Sequence, residues 1–191
     1  MAQLPNALTI GRIAAIPAIV ALLFWPDPTA RWAALALYAA ACLTDFFDGW
    51  LARRWDAASS LGRLLDPIAD KLLVGALTVM LAATGDAPRI PALVIVCREL
   101  LVSGLREHLA TLEVTLPVTE LAKWKTTVQM VALGFLVVGP AGPAFGGGVD
   151  CLVVGAVLFW AAALLTLVTG WDYLRASLGK VARPRRGTPA P

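Results

Sequence analysis

Six apolar runs dominate the chain, at roughly residues 8–25, 32–52, 66–84, 90–109, 126–140 and 149–171. A helix needs about 20 apolar residues to cross the hydrocarbon core of a bilayer, and most of these runs approach that length. They are separated by PDPTAR (26–31), RRWDAASSLGR (53–63), TGDAPR (84–89), TLEVTLPVTELAKWK (111–125) and GPAGPAFGGG (139–148), which are rich in turn-forming and helix-breaking residues. Irregular backbone finds no hydrogen-bond partner in lipid, and no strand-like alternation or internal repeat is visible, so a helical bundle is the architecture left. Composition agrees: 59% of the residues are hydrophobic and 15% charged, where soluble domains run near 45–50% and about 25%. The expectation is an all-α integral membrane protein built as a six-transmembrane-helix bundle. It occupies residues 1–178 as one domain, with a basic, Pro- and Gly-rich disordered cytoplasmic tail at 179–191.

The basic residues set an orientation. With six spans, one side collects Arg12, Arg53, Arg54, Arg63, Lys71, Arg98, Arg106, Lys123, Lys125, Arg175, Lys180, Arg183, Arg185 and Arg186, against Arg31 and Arg89 on the other. By the positive-inside rule the crowded side, with both termini, faces the cytoplasm. Trp25 and Trp32 flank the first outer turn, while Trp50, Trp55, Trp124 and Trp171 fall near the inner boundary. The first run is read as a retained span, because no basic residue precedes Arg12 and no small-residue cleavage site follows. Cys42, Cys97 and Cys151 have no paired spacing and are expected to be small buried hydrophobes. The lone histidine, His108, is expected at the interface, and nothing suggests a nucleic-acid partner.

Against this background, four carboxylates stand out. Asp45 and Asp48 lie three residues apart at the end of the second run, and Asp66 and Asp70 lie four apart at the start of the third. Those spacings put each pair on one helical face, and the short connection between the runs lets the faces converge at one depth. Isolated charges in hydrocarbon cost several kcal/mol each, so the group needs cations. Intramembrane pairing with Arg53, Arg63 and Lys71 would balance charge, and an ion path through a small transporter is another use of such carboxylates. Hard divalent cations, Mg²⁺ or Mn²⁺, account better for four carboxylates in two spaced pairs. Two such ions about 3.5–4 Å apart could share bridging carboxylates and polarise a phosphoryl group. Gly49, Ala52 and Gly62 would let a ligand approach the backbone closely, and Arg53 is placed for a phosphate oxygen.

The full pattern is Asp45-x2-Asp48-Gly49-x2-Ala52-Arg53-x8-Gly62-x3-Asp66-x3-Asp70. It resembles the signature of the CDP-alcohol phosphatidyltransferases at all eight fixed positions. The resemblance implies a six-helix membrane domain, homodimeric, with its active site open to the cytoplasmic leaflet. It implies transfer of a phosphatidyl group from CDP-diacylglycerol to an alcohol with release of CMP. Asp45, Asp48, Asp66 and Asp70 would hold the metals, with Asp70 also the general base. Gly49, Ala52, Arg53 and Gly62, with Asp48, would line the CDP site.

The acceptor is addressed by a second set of residues. Arg98 and Arg106, eight apart, lie nearly on one helix face, and Lys123 and Lys125 open the fifth run. Snorkelling or pairing with Glu99 and Glu107 would account for the arginines, and topology for the lysines. Gathered inward, the four would form an anion pocket suited to an acceptor carrying a phosphate. LPNALTIGR (4–12), the RE…LRE helix and KWKTTVQMVAL resemble those family members that use sn-glycerol 3-phosphate. On that resemblance Asn6, Thr9 and Arg12 would lie near the nucleotide or its phosphates, and Arg98, Arg106, Lys123 and Lys125 near the acceptor phosphate. Inositol phosphate, serine and phosphatidylglycerol are the other acceptors open to such a chain.

Overall fold

A computed structural model describes the backbone of residues 3–55, 60–112, 114, 119–145 and 148–181, and among these the side chains of all but 3–8, 45–55, 60–64, 66 and 181. Six α-helices are present among the described residues: α1 (Gln3–Leu23), α2 (Pro28–Trp55), α3 (Ser60–Thr84), α4 (Arg89–Thr111), α5 (Glu120–Val138) and α6 (Cys151–Val181). Each expected run is therefore a helix, but several ends move. The helix α5 begins at Glu120, not near 126, because Thr119 caps it: its hydroxyl accepts the Ala122 N–H at 3.3 Å, and Glu120 adds negative charge in the first turn. ELAKWK, read from sequence as connection, thus forms the opening turns of α5. The helix α6 continues to Val181 rather than stopping near 171, since hydropathy marks where lipid ends and not where a helix must end. Asp27 starts α2 by accepting from the Thr29 N–H at 3.1 Å and the Thr29 hydroxyl at 2.5 Å, with Pro28 in the first helical position. These bonds hold the Asp27 carboxyl below its ordinary pKa.

The most extensive pairing is α5 with α6, while α1 packs on both α2 and α3, and α4 packs mainly on α6. Gly155 permits the α5–α6 approach: a Cβ there would lie 2.9 Å from Leu136 Cδ2. Ile19, Leu77, Leu81, Ile95, Leu133, Leu136 and Phe159 are fully buried and form the centre. The outer surface is also apolar: Leu100 is 70% exposed and Leu93 65%, whereas Thr78 and Thr166 are 0%. Such an arrangement suits lipid as the solvent. Three segments, Pro67–Thr84, Glu120–Ala141 and Cys151–Lys180, are long and apolar enough to cross a membrane, and Thr9–Leu23 is a shorter apolar helix. The charges of α4, Arg98, Glu99, Arg106 and Glu107, set it apart from these.

One end of the bundle is marked by an ion pair. Arg31 at the start of α2 meets Asp86 in the α3–α4 turn at 2.7 Å and also donates to the Val137 carbonyl near the end of α5 at 3.4 Å. The Thr84 hydroxyl donates to the same Asp86 oxygen at 2.7 Å. Trp25 and Trp32 are exposed near this end, and Trp124, Trp171 and the mid-helix Trp160 are exposed as well. The expectation of three buried cysteines is corrected: Cys151 is buried, Cys42 is intermediate and Cys97 is exposed, none of them in a disulfide. On a surface facing lipid a thiol gains little from burial, so outward placement costs little. His108 is exposed, as expected of an interfacial side chain. Trp50, Trp55 and the tail 182–191 lie outside the described residues or side chains.

Candidate active site

The signature residues fall on two helices that flank a third. Asp45, Asp48, Gly49, Ala52 and Arg53 are carried by the C-terminal half of α2, and Gly62, Asp66 and Asp70 by the N-terminal half of α3. Helix α1, which carries Asn6, Thr9 and Arg12, packs against both. The side chains of Asn6, Asp45, Asp48, Ala52, Arg53 and Asp66, and the surroundings of Gly49 and Gly62, lie outside the described part.

Asp70 is described, and it has a partner that sequence reasoning did not assign to it. Arg12 Nη1 donates to Asp70 Oδ1 at 3.0 Å; the arginine side chain is 1% exposed and the aspartate 51%. A buried guanidinium in a lipid-embedded protein needs a counter-charge, and here it anchors a half-open carboxylate from below. Thr9, one turn before Arg12, is fully buried on the same face of α1. Arg12 was expected near the nucleotide or its phosphates; the structure adds that it orients Asp70.

A second charged cluster joins α4, α5 and α6. Glu99 Oε1 accepts from Arg98 Nη1 at 3.1 Å and, in a very short contact, from Lys125 Nζ. Arg98 Nη2 donates to Thr169 Oγ1 at 3.2 Å, and that hydroxyl donates in turn to the Leu165 carbonyl at 2.8 Å. Gly170 makes room, because a Cβ there would sit 2.9 Å from Arg98 Cγ. A cavity of about 150 Å³ between α3 and α4 is lined by Glu99, Ser103, Ile95, Thr78, Gly75 and Lys71, the last adjacent in sequence to Asp70.

The four cations expected at the acceptor therefore divide. Arg98 and Lys125 come together. Arg106, two turns further along α4 and about 12 Å away along the axis, lies instead over the Tyr173 ring at 6.0 Å. Lys123 is exposed and pairs with Glu120 of its own helix at 2.6 Å. Two residues apart on a helix means about 200° around it, so Lys125 points in and Lys123 points out. The spacing carried that signal, but reading 111–125 as connection hid it. Glu99, Thr169 and Gly170 were not singled out as site residues; only the possible pairing of Arg98 with Glu99 was visible in advance.

The arrangement offers a half-open carboxylate on α3, a largely covered two-cation cluster on α4 and α5, and a mainly apolar cavity between α3 and α4 that Lys71 and Glu99 both line. Such a site can hold an anion and receive a proton within one end of a bundle. Comparison with known proteins gives the family. Residues 2–168 match the family model described as CDP-alcohol phosphatidyltransferase. The chain is 49% identical over 174 residues, 91% of its length and 94% of the relative's, to a CDP-diacylglycerol–glycerol-3-phosphate 3-phosphatidyltransferase of Rickettsia bellii. It is 47% identical over 92% of its length and 97% of the relative's to the protein of that name from Rickettsia typhi. Against the one from Cereibacter sphaeroides it is 40% identical, over 92% and 96% of the two chains. Six helices in a lipid-suited bundle, the eight-position signature on α2 and α3, and similarity along nearly the whole chain lead to one assignment: this protein belongs to the CDP-alcohol phosphatidyltransferase family.

Proposed function

We propose that the chain transfers phosphatidyl from CDP-diacylglycerol to sn-glycerol 3-phosphate, giving phosphatidylglycerol phosphate and CMP in glycerophospholipid biosynthesis. The observation that carries this reading is the near end-to-end similarity to relatives bearing the name CDP-diacylglycerol–glycerol-3-phosphate 3-phosphatidyltransferase. The Arg98–Glu99–Lys125 cluster fits it, since two cations share one carboxylate and keep a net positive charge for an acceptor phosphate.

In the proposed reaction the acceptor hydroxyl attacks the phosphorus nearer the diacylglycerol. A new P–O bond forms as the P–O bond to CMP breaks, and the hydroxyl proton passes to the Asp70 carboxylate. Arg12 holds Asp70 Oδ1 and so fixes the direction from which that proton is taken. Asn6, Thr9, Asp48, Gly49, Ala52, Arg53 and Gly62 bind the CDP headgroup. Arg98 and Lys125 hold the acceptor phosphate, and Arg106 and Lys123 contribute to the field at the entrance. Displacement is read as direct: the one histidine, His108, is distant in sequence from the aspartates, so they include no Ser–His or Cys–His pair. The donor set, four carboxylates at spacings of three and four on two helices, suits hard divalent ions. Asp45, Asp48, Asp66 and Asp70 would hold two Mg²⁺ or Mn²⁺ ions, whose charge offsets that on the pyrophosphate and on departing CMP.

The basic-residue distribution and the family resemblance support a homodimer in the bacterial cytoplasmic membrane, with the site and both termini on the cytoplasmic side. The test is an assay of purified protein with CDP-diacylglycerol, Mg²⁺ and a panel of alcohols. CMP release is expected with glycerol 3-phosphate. Release with serine or inositol phosphate but not with glycerol 3-phosphate would overturn the acceptor assignment.

A further inference from the structure

We propose that Glu99 is a positioning residue for the acceptor: its carboxylate holds Lys125 beside Arg98 and keeps that lysine charged where the acceptor phosphate docks. This rests on the reading of Arg98 and Lys125 as acceptor-phosphate ligands.

The argument begins with the packing. Helices α4 and α5 both pack chiefly on α6 and share little backbone contact with each other. Backbone packing therefore does not by itself set the distance between a cation on α4 and one on α5. Glu99 does, because a single oxygen, Oε1, accepts from both Arg98 Nη1 and Lys125 Nζ. Lys125 is 5% exposed, and Glu99 is the one polar partner described for its ammonium group. A buried ammonium without a carboxylate beside it, and with a guanidinium nearby instead, is driven to lose its proton or swing away. Arg98 has a second tether, Thr169 on α6, and keeps its place against Gly170 whether or not Glu99 is charged. Among the described residues Lys125 has no such second tether, so it is the member of the pair that depends on Glu99.

Charge and position fit the role. Two cations and one carboxylate leave one positive charge, enough to attract a phosphate without two bare cations repelling each other. The Glu99 side chain also lines the α3–α4 cavity shared with Lys71, next in sequence to Asp70. The cluster is thus joined to the helix that carries the proton acceptor.

The experiment is steady-state kinetics of the purified full chain, with sn-glycerol 3-phosphate and CDP-diacylglycerol varied separately, for E99Q, E99D, K125Q and E99Q/K125Q. Losing one charge-assisted contact should raise the acceptor KM of E99Q roughly tenfold, with the donor KM within about twofold of wild type. E99D, which keeps the charge on a shorter arm, should fall between wild type and E99Q. The double variant should be no worse than K125Q alone, because Glu99 acts through Lys125. A fall in acceptor KM in E99Q would mean that the carboxylate competes with phosphate, and would overturn the proposal. Equal changes in donor KM and kcat, or additive effects in the double variant, would do the same. If E99Q does not fold, E99D decides: an unchanged acceptor KM overturns the proposal, and a selective rise supports it. An unaltered acceptor KM in K125Q would instead remove the underlying reading of Lys125. A rise in K125Q with none in E99Q or E99D would remove the role of Glu99 alone.

Discussion

Two ion-paired regions of the bundle use the same chemical groups to different ends. At the Asp86 end, one guanidinium meets one carboxylate, a hydroxyl donates to that carboxylate, and a backbone carbonyl takes a second arginine N–H. Charge is balanced there, and both side chains are largely covered, Arg31 at 13% and Asp86 at 12% exposed. At the Asp70 end, the arginine is buried but its aspartate is 51% exposed, and the cluster around Glu99 carries an excess cation. A balanced, closed pair fastens helices. A half-open one stays in contact with its surroundings, and an unbalanced one keeps a net charge. The difference assigns a fastening role to the Asp86 pair and leaves the Asp70 and Glu99 charges as the proposed functional ones.

The contrast can be broken by removing charges one at a time. The largest effect is expected for Asp70→Asn, which should lower kcat by roughly 10²–10⁴-fold through loss of the proposed proton acceptor, while CDP-diacylglycerol binding is largely retained. Measured CMP release beside equilibrium donor binding checks it, and turnover near wild type would remove Asp70 from the mechanism. Asp86→Asn should act on stability instead: removing one partner of a covered pair costs up to about 3 kcal/mol. That loss would appear as a lower melting temperature in detergent with both KM values unchanged. A selective change in either KM would mean that the Asp86 end is more than a fastening.

A smaller and more selective effect is expected within the KWK sequence. Lys125→Gln should raise the acceptor KM by roughly tenfold, since it removes a buried cation from the proposed acceptor site. Lys123→Gln should change it by less than about twofold, because an exposed intrahelical pair contributes at most about 1 kcal/mol. Equal effects at the two positions would show that exposure does not distinguish them. Arg106, exposed and over Tyr173, is expected to behave more like Lys123 than like Arg98.

Much of the fold was legible beforehand, and for a local reason. Lipid forces each spanning segment to satisfy its own backbone, so six apolar runs read as six helices. The ends were less legible. Thr119 starts α5 earlier than hydropathy indicates, and α6 runs on past the apolar stretch. That shift mattered, since placing Lys123 and Lys125 in a helix is what separates their directions. The aspartate signature was likewise readable from spacing alone, because three- and four-residue intervals share a helical face.

What the sequence determined by itself was the helical membrane fold, the paired carboxylates of α2 and α3, and the family to which they point. What only the tertiary structure decided was which charges meet across helices: Arg12 on Asp70, Arg98 and Lys125 on Glu99, Arg31 on Asp86. The division has a physical cause. Helical periodicity depends on neighbours a few residues away, whereas an ion pair between helices depends on how whole faces pack. Small residues such as Gly155 and Gly170 set those approaches, and they do so without any periodic mark in the chain.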